Sequence, residues 1–83
     1  MSFELEKAQI MWKLSRKKNW GDSYDRLEHF KRFPNLEKAI KELQKIGWVI
    51  IHKKSGFTGI SLNTTYKKEI AEFIWKETNK ILS

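Results

Sequence analysis

Apolar residues recur at helical intervals over most of this chain and at alternate positions over one short stretch. Phe3, Leu5, Ala8, Ile10, Met11, Trp12 and Leu14 run without a breaker, which predicts a first helix over 3–18. Trp20-Gly21-Asp22-Ser23 interrupts it, and Asp22 or Ser23 can cap a second helix carrying Tyr24, Leu27 and Phe30. That helix has to end before Pro34, whose ring pushes the preceding residue out of the α region. Asn35 can open a third helix with Leu36, Ala39, Ile40, Leu43 and Ile46 at helical spacing, and Gly47 can stop it in the left-handed conformation. The period then changes. Trp48-Val49-Ile50-Ile51-His52 is β-branched and aromatic, and Gly59-Ile60-Ser61-Leu62-Asn63 alternates. Residues 53–58 hold a glycine among polar groups, as a hairpin connection does. Asn63, Thr64 or Thr65 can cap a last, long helix over 66–82. The expected order is α-α-α-β-β-α: an α+β fold, mostly α, in a single domain over 1–83.

Charge adds a functional direction. Lysine and arginine number 17 against 10 aspartates and glutamates, leaving a formal charge of +7 on 83 residues. Such an excess favours polyanionic partners, nucleic acid first. With no cysteine, disulfide scaffolds, thiolate zinc sites and cysteine nucleophiles are excluded. No apolar run approaches the roughly 18 residues of a membrane span. The start MSFELEKAQ has neither a basic nor an apolar leader region, so a cytoplasmic location without membrane partners is expected.

The third helix concentrates that charge. At roughly 100° per residue, Lys38, Lys41 and Lys45 fall within roughly 40° of the direction opposite its core. Such a ridge suits a helix lying along a phosphate-lined groove. It equally suits a solvated face with Glu37–Lys41 and Glu42–Lys38 or Glu42–Lys45 pairs. Asn35 is the only amide at the helix start placed for a base contact. A second helix, the turn Lys31-Arg32-Phe33-Pro34, the third helix and a hairpin form a helix-turn-helix over 22–46 with a wing over 48–63. Arg26, Lys31 and Arg32 would then join Lys53 and Lys54 on one side. Phe57, between glycines at the hairpin tip, either inserts into a minor groove or folds back onto the wing.

The stretch LEKAIKELQKIGWVIIHKKSGFTGISLNTTYKKEIAEFI resembles the winged helix-turn-helix domains of small bacterial and archaeal transcription regulators. The likeness is carried by the leucine-bearing helix, Gly47-Trp48-Val49-Ile50, the glycine at the wing tip, Ile60-Ser61-Leu62-Asn63 and the final helix. It implies a recognition helix at 35–46 and a wing at 53–59. The expectation is therefore a double-stranded-DNA-binding regulator, not an enzyme, needing no cofactor or metal. The alternatives are a winged-helix adaptor that docks proteins, or an RNA-binding protein. The segment KELQKIGWVIIHKKSG is also similar to short RNA-cleaving toxins, but their histidine after the glycine turn is replaced here by Phe57.

Both terminal helices carry more apolar surface than one buried face needs. Trp48 and Trp20 read as packing residues. Phe3, Leu5, Trp12, Trp75, Thr78 and Leu82 are left as a candidate homodimer interface through the terminal helices 3–18 and 66–82. His29 and His52 show no metal-ligand spacing, and Gly56 and Gly59 form no P-loop.

Overall fold

A computed structural model describes residues 2–82, with side chains through Lys80. It is an α+β fold, mostly helical, with three helices and a three-stranded antiparallel sheet. The elements are α1 (Phe3–Arg16), β1 (Asp25–Arg26), α2 (Leu36–Lys45), β2 (Val49–Lys54), β3 (Phe57–Leu62) and α3 (Lys67–Leu82). One-turn 3-10 segments at Leu27–Phe30 and Thr64–Tyr66 lead towards α2 and α3. Among the described residues, no helix is long and apolar enough to cross a membrane.

Helix ends follow the local chemistry closely. Ser2 caps α1, its hydroxyl accepting from Leu5 N–H at 3.1 Å. At the other end Lys18 N–H donates to Ser15 and Asn19 N–H to Leu14, a Schellman closure that places Lys18 at φ +59°. Helix α2 closes in the same way. Gly47, at φ +85°, donates to Gln44, and Trp48 donates to Leu43. The expected stop at Gly47 is therefore present. Asn63 starts the last helical run by accepting from Thr65 N–H at 3.0 Å.

The second helix expected after Asp22 or Ser23, carrying Tyr24, Leu27 and Phe30, is absent. Leu27, Phe30 and Phe33 lie three apart, the period of a 3-10 turn, and Pro34 leaves no room for further α-turns. The residues just before them pair with the sheet instead: Asp25 lies opposite Ile60 and Arg26 opposite Gly59. The strand order is β1-β3-β2. The hairpin is also longer than its apolar runs suggested, pairing from Val49–Leu62 to Lys54–Phe57 and turning through Ser55-Gly56 alone.

Cross-strand partners define two faces. Val49, Ile51, Ile60 and Leu62 turn inward to meet Leu14, Phe30, Leu43 and Ile70 in the core. The outer face carries Ser61, His52, Gly59, Lys54 and Phe57, with Arg26 from β1. Tyr24 lies flat across it, stacked on His52 with centroids 4.9 Å apart. A Cβ on Gly59 would come within 2.5 Å of the Tyr24 ring, so the glycine makes room for that packing. Buried Ser61 donates its hydroxyl proton to Gly21 O at 2.7 Å, so His52 Nε2 must be the donor in its 2.9 Å bond to Ser61 Oγ.

Candidate nucleic-acid interface

Helix α2 is held on its core side by Ala39, Ile40 and Leu43, all buried. Lys41 and Lys45 stand exposed on the opposite side. The intrahelical Glu37–Lys41 and Glu42–Lys45 pairs do not form among the described residues. Glu42 instead reaches Lys7 of α1 at 3.5 Å. Lys41 and Lys45 thus have no carboxylate partner. Lys38, also exposed, leans towards α1, with its ammonium 4.9 Å from the Phe3 ring. The three lysines share the outward face, but Lys38 marks its α1 edge.

Asn35, expected as the amide reader, turns its side chain back towards α1. Its side chain makes no cap bond to α2, and its Nδ2 instead faces Glu6 Oε1 at 3.4 Å. Its backbone N–H donates to Glu6 Oε2 at 2.8 Å. Glu6, 2% exposed, therefore caps α2 from the neighbouring helix, its negative charge at the positive end of the α2 dipole. The exposed amide on α2 is Gln44, one turn beyond Lys41.

On the other side, the hairpin tip reaches the start of α2. Lys31, Leu36, Glu37, Gly56, Phe57 and Thr58 enclose a groove of about 320 Å³. Lys53 and Lys54 stand exposed just behind that tip. Phe57 folds back rather than projecting. Its ring lies 4.3 Å from the Arg26 guanidinium and 5.9 Å from Tyr24. Arg26 is also paired with Glu28 at 3.1 Å. Lys54 lies 5.4 Å from the Tyr24 ring.

The neighbours Lys31 and Arg32 part company. Lys31 lines the groove at the hairpin, whereas Arg32 turns to a second cleft at α1, over the Phe33 ring at 5.0 Å. That cleft, about 600 Å³, brings Arg32 together with Trp12, Lys13, Arg16 and Lys17, a grouping the sequence reading did not make. Their positions on α1, one turn apart beside a tryptophan, were the available signal. Lys13 donates to His29 O at 2.6 Å and lies 4.4 Å from the Phe30 ring. Burial, then the charges of Lys17 and Arg32, lower its pKa from the ordinary lysine value against the opposing pull of Asp25.

Asp25 of β1 ties down Lys17, one of these cations. Its carboxylate accepts from Lys17 Nζ at 3.0 Å, from His29 Nδ1 at 2.7 Å and from Arg26 N–H at 2.9 Å. Burial pushes the carboxyl up, but these hydrogen bonds and the Lys17 charge outweigh it and hold the group below its usual pKa.

The six expected interface residues separate as well. Leu5 is buried within the chain, and Phe3 packs against the core, so neither offers a dimer surface. Their apolar area is consumed by the packing of the domain itself. Trp12 and Trp75 stay exposed, at 48% and 68%. Thr78 lines the α1 cleft while bonding back to Ile74 O at 2.7 Å. The Leu82 side chain lies outside the described residues. No family model, curated protein or solved structure matches the chain.

Proposed function

We propose that the protein binds double-stranded DNA, with α2 as the element that enters the major groove. The order of helix, short strand, turn, helix and hairpin is compatible with a winged-helix layout, in which the hairpin 49–62 is the wing. The observation that carries this reading is the outer face of α2. Lys41 and Lys45 are exposed and lack carboxylate partners among the described residues, on a helix bordered by α1 on one side and a lysine-bearing hairpin on the other. Lysines held apart from acids in this way favour a polyanion that releases its counterions on contact.

The acids refine the picture. Glu28 and Glu37 line the groove between hairpin tip and α2, which disfavours phosphate there. Phosphates then fall to the flanks, to Lys41 and Lys45 on α2 and to Lys31, Lys53 and Lys54 around the tip. Gln44 takes over from Asn35 as the amide able to read a base edge. Arg26 and Phe57 act as internal bracing of the wing.

Five phosphate contacts give a salt dependence with a slope of about −4.5 in log affinity against log salt. Duplex titrations at several salt concentrations should show it. Lys41→Glu combined with Lys45→Glu should weaken binding about 100-fold or more while circular dichroism stays unchanged. A slope near zero, or full affinity in the folded double variant, would reject the assignment.

A further inference from the structure

The cleft at α1 has a chemistry that duplex binding by α2 does not use. It is bounded by α1, by the Arg32-Phe33-Pro34 turn and by Thr78 of α3, so it is closed on three sides by separate elements. Its volume, about 600 Å³, falls within the range of small-ligand pockets. Among the described residues no acidic side chain lines it, although four cationic ones do.

The arginines make the point most clearly. The chain has three. Arg26, outside the cleft, is paired with Glu28. Arg16 and Arg32, both in the cleft, have no carboxylate partner among the described residues and lie against rings instead. Arg16 is 4.7 Å from Trp12 and Arg32 is 5.0 Å from Phe33. A guanidinium resting on a ring keeps its in-plane N–H donors free for a bidentate anion. Lys13 spends one donor on His29 O and has two left. Lys17 is tied to Asp25 and closes the rim. Burial first, then the charges of Lys17 and Arg32, lower the pKa of Lys13.

Trp12 supplies the other half of the site. Arg16 steadies its indole, yet 48% of the residue remains exposed, which leaves apolar aromatic surface beside the cations. A flat ring can stack there at favourable cost. The occupant must therefore join a planar ring to a strongly anionic group. A second copy of this chain does not qualify, because it would bring more positive charge to a cluster that already repels itself. A phosphate monoester, with close to two negative charges, matches several cations better than a single carboxylate does.

We propose that this cleft is a site for a nucleoside monophosphate, with the base against Trp12 and the phosphate held by Arg32 and Lys13. A volume of about 600 Å³ holds one nucleotide, which favours a single free nucleotide over a length of strand.

The test uses the full chain and the four common ribonucleoside 5′-monophosphates, followed by calorimetry and by the Trp12 indole N–H signal in NMR. At least one nucleotide should bind saturably and shift that signal. Its nucleoside and inorganic phosphate should each bind about ten-fold or more weakly. Trp12→Leu and Arg32→Gln should each weaken binding about ten-fold, with unchanged circular dichroism. The variant carrying Lys41→Glu and Lys45→Glu should bind the nucleotide normally, so failure of duplex binding leaves this site standing and the reverse also holds. Nucleotide binding no tighter than phosphate alone, or unaffected by Trp12→Leu, would overturn the proposal. So would a single-stranded hexanucleotide that binds far more tightly through the same two residues, since the site would then serve a strand.

Discussion

Lys18 shows how a single backbone angle can stand apart from its surroundings. It occupies the left-handed position of the α1 closure at φ +59°, where glycine is the favoured residue and a Cβ is costly. Lys18→Gly should raise stability by about 1 kcal/mol, measured by denaturant unfolding. A loss of stability would mean that the lysine side chain compensates for its own strain. Asp25 gives a second residue-scale prediction. Its carboxyl is held below the usual value in the folded chain. A group depressed on folding adds stability above its unfolded pKa of about 3.9. That contribution disappears as pH falls through the lower, folded value. Thermal melts from about pH 5 downward should therefore show an acid-dependent loss, which Asp25→Asn flattens. Identical acid profiles for the two proteins would contradict the assignment. The cap at Gly47 was legible because left-handed closure is a local property of a helix end. The partner of Asp25 was not, because Lys17 and His29 reach it from opposite sides along the chain.

Among the elements, α2 depends most on a residue far from it in sequence. Glu6 receives the Asn35 N–H at the helix start, where an anion is favoured by both hydrogen bonding and the helix dipole. Glu6→Ala should cost about 1–2 kcal/mol and speed amide exchange in the first turn of α2. Glu6→Gln, which keeps an acceptor, should cost less. Equal exchange in all three proteins would show that the cap is dispensable. This long-range contact also explains why the Asn35 side chain does not cap α2. Its identity as a helix-capping residue is visible in the chain, but its displacement by a carboxylate from another helix is not. The same limit applies to residues 24–33. Their apolar positions are compatible with a helix in the chain alone, and the pairing of Asp25 and Arg26 with β3, together with Pro34, decides for the 3-10 turn. Helices α1, α2 and α3 and the hairpin were readable because each has a period of its own. A two-residue strand has none.

For the whole molecule, the apolar excess of the terminal helices is smaller than the sequence pattern suggests. Packing within the domain consumes Leu5 and much of Phe3, and leaves Trp12 and Trp75 at the surface. These two differ in setting. Trp12 sits among cations, so contact between like copies there is opposed by charge. Trp75, beside Ala71 on the exposed side of α3, is the better anchor for a two-fold contact. Sedimentation should show a concentration-dependent dimer that Trp75→Lys abolishes without unfolding the monomer. Purely monomeric behaviour of the parent chain across the accessible concentrations would exclude that contact. The overall charge remained the most transferable reading of the sequence, because it survives any error in element boundaries. Its division into a hairpin side and an α1 side, with Lys31 and Arg32 facing apart, required the folded chain.

The anchoring of α2 by a side chain borrowed from the first helix bears on how this protein can be taken apart. A fragment beginning after residue 18 would retain the lysine-bearing segment and the hairpin, yet its leading turn would fray for want of Glu6. Grafts of that segment into other scaffolds must therefore bring a substitute carboxylate, and truncation studies that drop the first helix will under-report what the intact chain can grip.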